Sequence, residues 1–98
     1  MERANKLNTI LITGGSSGIG RAAALMLAKD GWDIAISYSS STDSAVEVVK
    51  LCEAEGVKAC AIQADIGTME GIRKTYEEAL AFLGHIDVLY NNAGVFID

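Results

Sequence analysis

Four short apolar runs, separated by three stretches of helical periodicity, leave this 98-residue chain few ways to fold. Thr9 to Thr13 reads TILIT, β-branched and apolar, which suits a buried strand. From Gly18 to Asp30 apolar residues recur at Ile19, Ala22, Ala23, Met26 and Leu27, a helical spacing, and Gly31 suits the position past the helix end. Asp33 to Tyr38 alternates Ile34, Ile36 and Tyr38 with Asp33, Ala35 and Ser37, so it reads as a second strand. A polar turn over Ser39 to Asp43 leads to a second helix near Ser44, whose spacing to Glu47 fits a capping box. Its apolar face is Ala45, Val48, Val49 and Cys52, and it stops by Gly56. Val57 to Ala64 is a third strand. Thr68 to Leu83 is a third helix with Met69, Ile72, Tyr76, Ala79, Leu80 and Leu83 on one face. Gly84 ends it, and Ile86 to Asn91 is a fourth strand.

Alternation of this kind predicts a parallel sheet, because parallel neighbours need a crossover and a helix supplies it. The right-handed rule then lays the helices against the sheet. The expected fold is α/β and Rossmann-like: four parallel strands with three helices, half of a doubly wound fold, the expected order 3-2-1-4 being that of this fold class and not a consequence of the alternation. Residues 1–98 read as a single, partial dinucleotide-binding domain.

The segment Thr13-Gly14-Gly15-Ser16-Ser17-Gly18-Ile19-Gly20 lies between the first strand and the first helix, where a phosphate-binding turn belongs. Gly14 permits a sharp exit from the strand, Gly18 leaves bare backbone for a pyrophosphate, and Gly20 lets helix and strand approach. Backbone N–H groups at the helix start, around Gly18 and Ile19, favour an anion there. Ser16 and Ser17 add hydroxyl donors. The spacing is neither the usual dinucleotide fingerprint nor a P-loop, since three residues separate Gly14 from Gly18 and no Lys-Ser/Thr pair follows.

That spacing resembles the short-chain dehydrogenase/reductase family, whose glycine motif reads TGxxxGIG. Ala64-Asp65-Ile66 after the third strand and Asn91-Asn92-Ala93-Gly94 after the fourth are similar to two further family motifs. Gly84 to Leu89 looks like the family's usual run into that strand. The resemblance spans about residues 8 to 95. It implies an oxidoreductase that moves hydride between a nicotinamide cofactor and a carbonyl or alcohol carbon. It also implies that Asp65, beside the apolar Ile66, accepts a hydrogen bond from the adenine amino group. Asn91 would tie the sheet together, with Asn92, Ala93 and Gly94 along the cofactor.

An NAD-selective site usually carries an acid about 20 residues past the glycines, on the ribose 2′-hydroxyl. Here the second strand runs into Tyr38-Ser39-Ser40-Ser41, and the nearest acid, Asp43, belongs to the next helix. A 2′-phosphate would meet hydroxyl groups, so NADP is the preferred cofactor and NAD the alternative. No Arg or Lys lies in the turn, and Arg21 sits inside the first helix.

The family's catalytic tyrosine, its lysine and its serine lie, by the resemblance, beyond the fourth strand. None of Tyr38, Tyr76 and Tyr90 has a lysine four residues on; Tyr76 and Tyr90 read as packing residues. No catalytic residue is expected in this chain, and no turnover from it alone. The alternative is a non-catalytic nucleotide-binding or assembly module. A sugar epimerase of the extended branch is disfavoured, because those enzymes usually have two residues between the first two glycines. If the chain is cut from a longer parent, the fourth strand becomes an edge beside Val95-Phe96-Ile97 and invites self-association. A homo-oligomer is expected for the parent.

The formal net charge of -5 and a pI near 4.7 argue against nucleic acid or an anionic membrane as partners. Met1 to Asn8 lacks the apolar core of a signal peptide, so a cytoplasmic location is the default. Cys52 and Cys60 sit in apolar contexts without metal-ligand spacing and read as small buried hydrophobes. His85 suits the exposed end of the third helix, not a catalytic role.

Overall fold

A computed structural model describes residues 8–92. The elements follow the expected alternation: β1 (Thr9–Thr13), α1 (Gly18–Lys29), β2 (Asp33–Tyr38), α2 (Thr42–Glu53), β3 (Ala59–Gln63), α3 (Met69–Leu83) and β4 (Val88–Asn91). The strands form one parallel sheet in the order β3-β2-β1-β4, as expected. Ile10 stands level with Ile34 on one side and Val88 on the other.

Two cores sandwich the sheet. Ile10, Ile12, Ile34 and Ile36 point toward α1 and α2, against Ala24, Ala28, Ala45, Val48 and Cys52. Leu11, Ala35 and Ile62 point the other way, against Ala79 and Leu83 of α3. The alternation along β2 therefore sorts residues between two buried faces, not between core and water.

Two helix faces differ from the sequence expectation. In α1 the buried residues are Gly20, Ala24 and Ala28, while Ile19 and Met26 are exposed. In α3 they are Gly71, Thr75, Ala79 and Leu83, while Met69, Ile72, Tyr76 and Leu80 are exposed. Both helices approach along a mostly small stripe at i, i+4 and i+8 that opens on a glycine. A Cβ at Gly20 would lie 2.3 Å from the Gly14 carbonyl oxygen, and one at Gly71 would fall 1.8 Å from that of Asp65. Larger side chains cannot enter such contacts and are left on the flanks. Tyr76, expected in the core, is half exposed for this reason.

The capping box at Ser44 does not form. The α2 helix begins earlier, at Thr42, because Ala45 N–H already donates to the Ser41 carbonyl (3.0 Å). The third and fourth strands are shorter than expected because side chains intercept the ladder. Asp33 Oδ1 accepts from Lys58 N–H (3.0 Å), and Asp87 Oδ2 accepts from Thr9 N–H (3.0 Å). His85 is half-buried rather than exposed: its carbonyl accepts from Thr9 Oγ1, and its Nε2 lies 3.3 Å from Asp87 Oδ2. Neither cysteine is in a disulfide; Cys52 is buried and Cys60 half-buried. No described helix is long and apolar enough to cross a membrane.

Candidate functional site

The carboxyl ends of the parallel strands, where the two helical layers part, enclose a cavity of about 350 Å³. This crevice is where open α/β sheets characteristically bind ligands. Three segments wall it: Gly14, Ser16 and Ser17 after β1; Ser37 to Ser41 at the end of β2; and Ala64 to Gly67 after β3. Asp65 is the one charged side chain among the described residues that line it. Of the residues singled out in the sequence, Gly14, Ser16, Ser17, Tyr38, Ser39, Ser40, Asp65 and Ile66 meet at this cavity.

Gly18 opens α1 at φ 59°, with nothing within 4 Å of where a Cβ would stand. Bare backbone therefore faces open space. Ser17 precedes α1 without a side-chain cap, so the first N–H groups of the helix take no bond from it. The α2 helix likewise starts without a side-chain cap, at Ser41, on the opposite rim. By contrast α3 is capped by Thr68, whose Oγ1 accepts from Gly71 N–H (2.9 Å). Two helix starts without side-chain caps thus border one cavity, an arrangement suited to a ligand with separated anionic groups.

Ile19 is exposed, and Gly20 lies beneath the loop against Gly14. Asn92 does not line the cavity; its Nδ2 donates to the Gly14 carbonyl (3.1 Å) and holds the loop from below. Asn91 Oδ1 accepts from Thr13 Oγ1 (2.9 Å), linking the ends of β1 and β4. Ala93 and Gly94 lie outside the described residues. Arg21 turns away toward Glu47 of α2, at 3.6 Å.

Sequence reasoning gave no site role to Gly15, Ser37, Gly67, Thr68 or Gly71, which shape this site. Gly15 is buried, and a Cβ there would lie 2.5 Å from Ile36 Cγ2. Ser37 accepts from the loop through Oγ (Gly14 N–H, 3.2 Å) and through its carbonyl (Gly15 N–H, 3.0 Å). Gly67 N–H donates to Asp65 Oδ1 (2.9 Å), while Thr68 N–H and Oγ1 both reach the Asp65 carbonyl. Gly71 allows α3 to sit directly on that carbonyl. The doubled glycine and the Thr68–Gly71 spacing were the available signals.

A second cavity of about 400 Å³ is apolar, between α3 and the β1–β4 pair, lined chiefly by Leu11, Ile66, Ile72, Tyr76 and Leu89. Among the described residues that line it, Tyr76 is the one titratable group.

The geometry agrees with comparison to known proteins. The family model described as short chain dehydrogenase matches residues 8–98. The 3-oxoacyl-(acyl-carrier-protein) reductase FabG of Staphylococcus epidermidis is 42% identical over 88 residues, covering 90% of this chain and 36% of the relative. General stress protein 39 of Bacillus subtilis is 48% identical over 84 residues, covering 86% of this chain and 29% of that protein. Among solved structures, a blue fluorescent protein from a metagenomic library in complex with NADPH superposes with a TM-score of 0.85 at 44% identity, covering 92% of this chain and 37% of that one. The chain thus spans about a third of the length of these relatives. It belongs to the short-chain dehydrogenase family.

Proposed function

We propose that this chain forms the NADP-binding portion of an oxidoreductase acting on a carbonyl or alcohol substrate. The observation that carries the reading is the convergence of the glycine loop, the β2 turn and the Asp65 loop on one cavity of about 350 Å³. The N–H groups at the start of α1, with Ser16 and Ser17, hold the pyrophosphate. Asp65, with Ile66 beside it, receives the adenine: its Oδ1 is engaged by Gly67, which leaves the other oxygen for the amino group. Ser39, Ser40 and Ser41 face the ribose 2′-position. Asp43 lies in the first turn of α2 and does not line the cavity, which supports a 2′-phosphate over a 2′-hydroxyl. The expectation that Asn92, Ala93 and Gly94 lie along the remainder of the cofactor rests on the family resemblance alone; the Asn92 side chain itself holds the Gly14 carbonyl. The bound nicotinamide supplies hydride chemistry; the residues named here bind and orient it.

The complex of a similar protein with NADPH supports the choice of NADP. Calorimetric titration of the full chain with NADP⁺ and NAD⁺ tests it. Tighter binding of NADP⁺ is expected; tighter binding of NAD⁺ would contradict the preference.

We also infer self-association through β4. The strand pairs with β1 alone among the described strands, and its Leu89 is 58% exposed. A cytoplasmic location belongs to the same reading.

A further inference from the structure

We propose that Gln63, which lines neither cavity, is a positioning residue that sets the preference for a 2′-phosphate by fixing the Ser39–Ser41 turn. The inference rests on the nucleotide-binding reading above.

Gln63 ends β3 and stands level with Tyr38, the last residue of β2. The main-chain ladder closes one step later, where Ala64 N–H donates to the Tyr38 carbonyl (3.0 Å). The Gln63 side chain then reaches one residue further. Its Nε2 donates to the Ser39 carbonyl (3.0 Å), so β3 grips the chain after β2 has ended. Gln63 is itself anchored, because Lys74 Nζ of α3 donates to its carbonyl (2.7 Å).

The grip has a directional consequence. In a trans peptide the C=O and N–H point opposite ways. Holding the Ser39 carbonyl toward β3 therefore fixes the Ser40 N–H away from it. The far side of the turn is tied too, since Thr42 N–H donates to the Ser40 carbonyl (3.0 Å) and Ala45 N–H to that of Ser41 (3.0 Å). The turn is thus held at both ends by bonds that use none of its serine hydroxyls.

Fixing matters more here than at a basic site. No Lys or Arg lines this cavity among the described residues, and Arg21 is engaged by Glu47. A guanidinium attracts phosphate over a range of positions. Hydroxyl and N–H donors need short, aligned contacts, so a loose turn loses affinity through the cost of ordering it. That loss falls on the 2′-phosphate and spares the adenine and pyrophosphate contacts made by other segments.

Gln63→Met keeps the side chain's length and removes its donor. Binding of 2′,5′-ADP and of ADP to the full chain is measured by calorimetry, with a thermal melt of each sample. The expected result is ~3–10-fold weaker 2′,5′-ADP binding, the worth of one hydrogen bond, with ADP changed less than about twofold and the melt unaltered. Equal weakening of both ligands, or of neither, overturns the role of Gln63. Wild-type protein that binds ADP and 2′,5′-ADP equally overturns it as well, while leaving the nucleotide site standing. Binding of neither ligand by the wild type overturns both this inference and the nucleotide reading.

Discussion

The Asn92 side-chain amide donates to the Gly14 carbonyl across 3.1 Å, joining the end of β4 to the glycine loop 78 residues earlier. A Cβ at Gly20 would lie 2.3 Å from the same carbonyl and 2.8 Å from the same amide. The loop, the first turn of α1 and the end of β4 thus share one contact point. Asn92→Leu removes the donor and leaves a partly buried carbonyl unpaired. A stability loss of about 1–2 kcal/mol is expected in urea titration. NADP⁺ affinity should fall with it, because the loop is no longer held.

Gly18 and Gly20 separate binding from folding. Gly18→Ala places a methyl in open space at a left-handed backbone, at a cost of about 1–2 kcal/mol, and obstructs the cradle. Gly20→Ala drives a methyl into backbone, where overpacking costs about 1–3 kcal/mol or more. Melts and titrations on the pair should show Gly18→Ala losing more affinity and Gly20→Ala more stability. The reverse order would place the cofactor elsewhere.

Thr68→Val removes the α3 cap and one of the two bonds from Thr68 to the Asp65 carbonyl. A loss of about 1 kcal/mol is expected from the cap alone. Weaker ADP binding should accompany it if the Asp65 loop receives the adenine.

Burial pushes the Cys52 and Cys60 thiols up to about 11 from an ordinary value of 9.0, with lesser contributions from Glu53 and Glu55 at Cys52 and from Glu78 at Cys60. The folded state then keeps these protons to higher pH than the unfolded chain. The stability they contribute is full below about pH 9 and is lost as pH rises toward about 11. Urea midpoints should decline across that window, and less steeply in a Cys52→Ala/Cys60→Ala variant. Native protein at pH 8 should react slowly with a thiol reagent.

Leu89→Lys places a charge on the α3-side face of β4, next to the strand's open edge. Sedimentation should show less self-association than for the wild-type chain, if that edge is the contact.

Strand sites were legible because β-branched runs alternate with helical stretches; the order 3-2-1-4 came with the Rossmann-like fold class, since alternation alone also admits the order 2-1-3-4. The glycine loop was legible because its position between β1 and α1 carries a physical reason. The helix faces were misread at Ile19, Met26, Ile72 and Tyr76 because periodicity weights large apolar residues, whereas packing here selects small ones at Gly20, Ala24, Gly71 and Thr75. The stripe follows from backbone contact across a loop, Gly20 against Gly14 and Gly71 against Asp65, which periodicity of apolar residues does not register. Ser37 and Gln63 escaped notice because their partners lie 23 and 24 residues away.

The central claim is that a dinucleotide occupies the cavity between the glycine loop, the β2 turn and Asp65. Amide chemical-shift mapping of the full chain during titration with NADP⁺ tests it most directly. Saturable shifts are predicted at Gly14 to Gly20, Ser37 to Ser41 and Asp65 to Gly67, with little change at Ile72 and Leu89. Shifts centred on Ile72, Tyr76 and Leu89 around the apolar cavity, or no saturable shifts, would contradict it.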